Sequence, residues 1–178
     1  MIYILLADGF EEVEAIATCD IIRRAEIKVK LASIGDEYVT GSHKIAIKAD
    51  MLADEIDLET VDGIILPGGM PGTLNLQKNA TVLKLIDYCI KNEKVIGAIC
   101  AAPMILGDLG YLKGKKATCF PGFEENLTGA EVCDDFVVSD GNIITGRGAG
   151  ASLMFGAAIV DYFKEGTGAK LLRQVQHK

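Results

Sequence analysis

The residue with the clearest chemical potential is a cysteine at the end of an apolar run. Lys94-Val95-Ile96-Gly97-Ala98-Ile99-Cys100-Ala101-Ala102-Pro103 reads as a buried strand that stops on Cys100, after which Met104-Ile105-Leu106 reads as a helix. A strand that turns sharply into a helix lifts the residue at the turn out of the carboxyl end of a sheet, beside the free N–H groups of the new helix. The turn is crowded, so the residues two positions to either side must be small; here they are Ala98 and Ala102. The pattern predicts a nucleophile elbow whose helix N-terminus favours a Cys100 thiolate. The alternative from this segment alone is a buried cysteine packed as a small hydrophobe.

A thiol nucleophile is ordinarily activated by a neighbouring base. Ala101, not histidine, follows Cys100, and the two histidines are His43 and His177. His43 reads as a solvated turn residue and His177, one residue from the end, as frayed, so a Cys–His protease relay lacks its base. Glu14 is the remaining ionisable candidate. With residues 10–25 as a helix, Phe10, Val13, Ala17 and Ile21 form an apolar stripe with Arg24 among them. Glu14 then lies roughly 60° from the centre of the stripe, while Glu11 and Glu12 point away and serve the helix dipole. An inward carboxyl has a raised pKa and, once protonated, donates to a thiolate, so the two groups titrate as a pair. The alternative for Glu14 is a rim residue on a solvated face. Gly68-Gly69 lets backbone approach a ligand closely, and these N–H groups with that of Ala101 would stabilise an oxyanion; the alternative is an ordinary Pro-Gly turn.

The elements that must position these groups alternate along the chain. Strands are predicted at residues 2–7, 27–32 and 63–66 and in the run ending at Cys100, with a short one at 116–119. Residues 37–49 alternate around Thr40-Gly41-Ser42, which predicts an inserted hairpin, and a second hairpin joins 136–138 to 142–145 across Asp140-Gly141. Residues 51–59 read as a polar, partly helical connection. Helices are predicted at 81–91, with Val82, Leu85, Ile86 and Cys89 inward, at 151–163, and from Gly168 onward. The order implies an α/β fold with a mostly parallel sheet covered on both faces, and functional loops beyond the carboxyl ends of its strands. The loops at 8–14, 67–72 and 100–103 fall in register there, so one site built from three loops is expected. Gly146-Arg147-Gly148-Ala149-Gly150-Ala151 matches the dinucleotide fingerprint G-x-G-x-x-A, but no strand with a ribose-binding acid follows. Close helix–sheet packing accounts better for these glycines, and no cofactor is expected.

Length and composition bound the remaining classes. The 178 residues suit a single domain, 1–178. A net charge of −7 without a basic run argues against a nucleic-acid surface. No apolar run approaches the ~20 residues that span a bilayer, and the opening segment reads as a first strand rather than a signal peptide. Five cysteines (Cys19, Cys89, Cys100, Cys119, Cys133) are odd in number and form no C-x-x-C pair, and two histidines are too few to complete a zinc site. Reduced thiols, no metal and a cytoplasmic setting are expected.

Taken together, these segments resemble the DJ-one/ThiJ/PfpI superfamily, on its parkinsonism-protein branch rather than its protease branch. The resemblance runs nearly end to end. It rests on Asp8-Gly9-Phe10-Glu11-Glu12-Val13-Glu14, Asp20-Ile21-Ile22-Arg23-Arg24-Ala25, Leu66-Pro67-Gly68-Gly69, Ala98-Ile99-Cys100-Ala101-Ala102-Pro103 and Thr145-Gly146-Arg147-Gly148-Ala149-Gly150. It implies a flavodoxin-like three-layer sandwich, a homodimer, a reactive cysteine at Cys100, a protonated glutamate at Glu14 and oxyanion N–H groups at Gly69 and Ala101. It further implies glyoxalase activity without glutathione, deglycase activity on glycated proteins and nucleotides, chaperone behaviour, or oxidation of the cysteine to a sulfinate. The partners implied are small aldehydes or glycated macromolecules. Phe120 stands where many members place a histidine, which leaves Glu14 as the evident proton shuttle and sets Cys119 near the site as a second thiol. Arg24 and Arg147, inside the matching segments, are further supporting candidates. Glu26 replaces the glycine usual after Arg-Arg-Ala, a local change of turn.

Overall fold

The computed structural model describes residues 1–176, so His177 lies outside the described residues. Along the chain run β1 (Ile2–Leu6), α1 (Glu12–Arg24), β2 (Val29–Ser33), β3 (Tyr38–Thr40), β4 (Ala46–Lys48), β5 (Met51–Leu52) and β6 (Gly63–Leu66). They are followed by α2 (Gly72–Lys78), α3 (Ala80–Lys91), β7 (Val95–Ile99), α4 (Pro103–Asp108), β8 (Lys116–Ala117) and β9 (Glu131–Val132). Last come β10 (Val137–Asp140), β11 (Ile143–Gly146), α5 (Ser152–Phe163) and α6 (Thr167–Val175). The main sheet has seven strands in the order β10-β11-β7-β6-β1-β2-β5, parallel except for the β10–β11 hairpin.

Alternation along these strands builds two cores, because successive side chains leave opposite faces of a strand. Tyr3, Leu5, Ile64, Leu66, Ile96 and Ala98 face one layer, where they meet Leu76 of α2, Val82, Leu85, Ile86 and Cys89 of α3, and Ile105 and Leu106 of α4. Ile2, Ile4, Leu6, Ile65, Val95 and Ile99 face the other, with Ala15, Cys19, Ile21 and Ile22 of α1 and Phe155, Ile159 and Val160 of α5. The result is the expected three-layer α/β arrangement. The inward face anticipated for α3 is the one observed.

Several elements differ from the sequence reading. Helix α2 and strands β5 and β9 are too short for periodicity to reveal them. The strand expected at 116–119 is two residues long and pairs with β9 outside the main sheet. The apolar stripe drawn on α1 is wrong in its first turns: Val13 is 51% exposed, while Glu12 is 7% and Glu14 1% exposed. The first turn of α1 faces backbone donors from two loops rather than the sheet, so its carboxylates turn inward and Val13 turns out. Gly146 does pack where helix meets sheet, since a Cβ there would stand 2.9 Å from Ile99 Cδ1 and 3.1 Å from Phe155 Cδ2, whereas Gly150 has open space around it.

Candidate active site

Strand β7 is buried along its whole length, and the chain reverses immediately after it. Cys100 has φ 64, in the left-handed region that non-glycine residues seldom occupy, at a cost of roughly 1–3 kcal/mol. Backbone bonds hold the strained residue on both sides. Its N–H donates to Gly146 O at 2.9 Å, its C=O accepts from Phe120 N–H at 2.9 Å, and Ala102 N–H donates to Ile99 O at 3.0 Å. Ala98 and Ala102 are fully buried, as the crowded turn requires. Helix α4 beyond the elbow has only six residues, so the macrodipole effect expected from it is small. Individual N–H groups act instead: those of Ala101 and Gly69 favour the thiolate and oppose the rise that burial imposes.

Glu14 reaches the same point from α1. Its Oε2 accepts the Gly68 N–H at 2.7 Å, and Oε1 is buried with no hydrogen-bond partner. The carboxyl and the thiol lie close enough to shift each other's ionisation, although Oε1 has no hydrogen-bond partner. Gly68 is required here by space: a Cβ would lie 2.6 Å from Cys100 Cβ and 2.7 Å from Glu14 Oε2. Burial pushes Glu14 up to about 7 against the Gly68 and Cys100 hydrogen bonds that lower it, and Glu11 adds a small rise. Burial also pushes Cys100 up to about 12, and the Glu14 charge and hydrogen bond add to it, opposed by the N–H groups of Ala101 and Gly69. The coupling of the two acids and the rise at Glu14 match the expectation, but the lowered thiol expected at the elbow is not found: burial and the Glu14 charge raise Cys100 instead. Between those two values the pair carries one proton and one negative charge.

The β3–β4 hairpin closes over the first of the three loops. Gly9 N–H donates to Thr40 O, Thr40 N–H to Asp8 Oδ1 and Ser42 N–H to Phe10 O, each at 2.8 Å. Glu12, expected to point away, grips the hairpin turn. Its Oε1 accepts the N–H groups of His43 at 2.8 Å and Ile45 at 3.4 Å, and its Oε2 lies 2.9 Å from His43 Nδ1. Burial raises the Glu12 pKa, but the hydrogen bonds from the His43 ring and these backbone groups outweigh it and carry it down to about 2. His43 is exposed as expected, yet it is tied to the helix, and its pKa is raised by the Glu12 hydrogen bond and by the charges of Glu11 and Glu12.

The other candidates separate. Phe120 touches the elbow through its N–H, and its ring is partly exposed. With Pro121, Phe136, Arg147 and Ala149 it lines a cavity of about 330 Å³. Arg147 follows the carbonyl that holds Cys100 N–H and donates through Nη1 to Asp134 O at 2.9 Å. Cys119 is buried in the core on one face of the sheet, whereas Cys100 packs against the core on the other. Arg24 is not brought to the site. It ends α1, ten residues and about 15 Å of helix from Glu14, paired with Asp20. The sequence reading missed the Glu12–His43 contact, whose only signal is two acids entering a helix and a histidine in a nearby turn.

A parallel sheet with helices on both faces, and a cysteine raised at a strand–helix elbow beside a buried glutamate, define the flavodoxin-like class of cysteine-elbow proteins. The chain belongs to the DJ-1/PfpI family, whose model matches residues 1–162. It is similar to "Protein DJ-1 homolog B" of Arabidopsis thaliana, 40% identical over 91% of this chain and 37% of that relative, so it spans little more than a third of the relative's length. "Deglycase PfpI" of Pyrococcus furiosus is 32% identical over 84% of this chain and 90% of the relative. The crystal structure of Drosophila melanogaster DJ-1beta superposes with a TM-score of 0.92 at 32% identity, covering 98% of this chain and 96% of that one. These matches place the chain on the DJ-1 branch. Among the described residues no helix is long and apolar enough to cross a membrane.

Proposed function

We propose that the chain is a cysteine-dependent enzyme acting on reactive α-oxoaldehydes, or on the early adducts these form with proteins and nucleotides, as a glyoxalase or deglycase. The observation that carries this reading is the convergence of three groups at Cys100: the N–H groups of Gly69 and Ala101, and the Glu14 carboxyl with its unpartnered Oε1. Oε2 accepts from Gly68, so in this reading the shared proton sits on Oε1 and the charge on sulfur, the reverse of the order in which the two pKa values place them. The deglycase named among its relatives supports the same class.

With methylglyoxal, the thiolate adds to the aldehyde carbon and the carbonyl oxygen takes the proton from Glu14, giving a hemithioacetal. The backbone N–H groups hold the negative charge that develops on that oxygen. The Glu14 carboxylate then removes the proton from the former aldehyde carbon and returns it to the adjacent ketone carbon, while the hydroxyl proton of the hemithioacetal passes to the former ketone oxygen, leaving a thioester of lactate. Water cleaves the thioester, releasing lactate and the free thiol. Incubation with methylglyoxal and measurement of lactate tests the reading. Turnover should vanish in Cys100→Ser; equal output from the variant and the wild type would overturn it.

A second reading rests on the partial exposure of Cys100, which Cys133 shares and the buried Cys19, Cys89 and Cys119 do not, together with the Glu14 carboxyl beside Cys100. In it the thiolate attacks peroxide, taking one oxygen to a sulfenate with release of water, and a second peroxide takes it to the sulfinate. Intact mass after mild peroxide should show oxygen on Cys100 alone, and none in Glu14→Leu. Indiscriminate oxidation of all five cysteines would remove this reading.

A further inference from the structure

Where the β3–β4 turn meets the first turn of α1, four side-chain atoms converge. Ser42 Oγ stands 3.1 Å from Glu11 Oε2, 3.4 Å from Glu12 Oε2 and 3.1 Å from His43 Nδ1. His43 Nδ1 is 2.9 Å from Glu12 Oε2 and 3.4 Å from Glu11 Oε2. One ligand atom from each of Glu11, Glu12 and His43 lies within 4.8 Å of the others. Four ligands bound tetrahedrally to one zinc ion stand roughly 3.3 Å apart, so the measured separations approximate the edges of such a site.

The cluster is also short of hydrogens, and among the described residues His43 is its one source of positive charge. The single Ser42 hydroxyl hydrogen faces three acceptors, and a neutral His43 ring supplies at most one more. Among the described residues no lysine or arginine pairs with Glu11 or Glu12, whose ion-pair partner is His43. Glu12 keeps Oε1 on the His43 and Ile45 N–H groups, which leaves Oε2 directed into the cluster. The Glu11 and Glu12 side chains are 16% and 8% exposed and the His43 ring 68%, an arrangement with fixed acids below and an open path above.

We propose that Glu11, Glu12 and His43, with the Ser42 hydroxyl as fourth ligand, form a binding site for a borderline first-row divalent cation of the zinc type. Binding displaces the Nδ1 proton of His43 to solvent and fastens the hairpin turn to α1. The imidazole nitrogen selects zinc or cobalt over magnesium and calcium, which take oxygen ligands in larger number. Counting histidines alone hides the site, because two of its ligands are carboxylates.

The proposal is read by binding, independently of the activity proposed for Cys100. Zn²⁺ is titrated calorimetrically into protein carrying Cys100→Ser and Cys133→Ser, so that the accessible thiols do not compete. Co²⁺ then reports the ligand set through its visible d–d bands. One equivalent of Zn²⁺ should bind, with affinity reduced about tenfold or more by His43→Ala or Glu12→Gln. Mg²⁺ and Ca²⁺ should not compete, and the Co²⁺ spectrum should lack a thiolate charge-transfer band. His43→Ala removes an exposed ring and leaves the core intact, so it decides the matter even if Glu12→Gln fails to fold. Absence of saturable Zn²⁺ binding, or undiminished binding in His43→Ala, would overturn the site.

Discussion

Glu12 and Glu14 lie two residues apart in the first turn of one helix, and both are buried, yet their ionisation moves in opposite directions. Glu12 accepts two backbone N–H groups and contacts an imidazole, and is carried down to about 2. Glu14 accepts one N–H, leaves its other oxygen buried without a partner, and is carried up to about 7. Burial pushes both the same way, so the number of donors decides the outcome. One carboxylate is a structural anion that holds a hairpin; its neighbour is an acid kept close to the pH at which it would work.

Removing the acid's partner gives the largest effect. In Cys100→Ser, lactate formation from methylglyoxal should fall to background. Removing the acid itself comes next: Glu14→Gln keeps an acceptor for Gly68 but holds no transferable proton, and should lower turnover by about 10²–10⁴-fold. The same variant should gain stability, and the sign follows from linkage. An acid whose folded pKa lies above its unfolded one destabilises the fold progressively as pH rises from about 4.5 to about 7. Glu14→Gln should therefore melt with wild type at pH 4 and be more stable at pH 8, by roughly 3 kcal/mol at most. Equal melting at both pH values would show that Glu14 is an ordinary carboxylate.

Glu12→Gln should act with the opposite sign, losing about 1–2 kcal/mol at neutral pH as charge-assisted bonds to the turn become neutral ones. The loss should shrink as pH falls from about 4.5 toward 2, where the native carboxylate itself is protonated. Thermal melts across pH would check both slopes, and parallel slopes for the two variants would break the contrast. The smallest effect lies past the other end of α1. Glu26 occupies φ 57 in the turn to β2, a conformation without strain for glycine, so Glu26→Gly should stabilise by about 1 kcal/mol with turnover unchanged.

The layered fold and the elbow were legible because they depend on strong local patterns. β1, β6 and β7 are apolar throughout, and Ala98 and Ala102 flank Cys100 as a tight turn demands. Glu14 was found by a helical wheel that misplaced its neighbours, since the wheel assumes that a helix buries its face against apolar side chains. The first turn of α1 is buried instead by backbone N–H groups at Gly68, His43 and Ile45, which no periodicity in the sequence encodes. Glu12 was hidden for that reason. Arg24 was drawn to the site by its place in a matching segment, although the rise of the helix carries it away. Gly68 was legible as a close approach, but what it approaches, the gap between Cys100 and Glu14, appears only in three dimensions.

The proposed function requires that the one proton Cys100 and Glu14 share near neutral pH sit on the carboxyl with the charge on sulfur, against the order of their two pKa values. The pH dependence of Cys100 alkylation by iodoacetamide, in wild type and Glu14→Gln, tests it most directly. With the pair's first proton, lost at about 7, coming from sulfur as the proposal requires, wild type should show a reactivity wave there, and Glu14→Gln should lose that wave and react only at higher pH. A single wave well above 9 in both proteins would place the charge on the carboxylate and contradict the account.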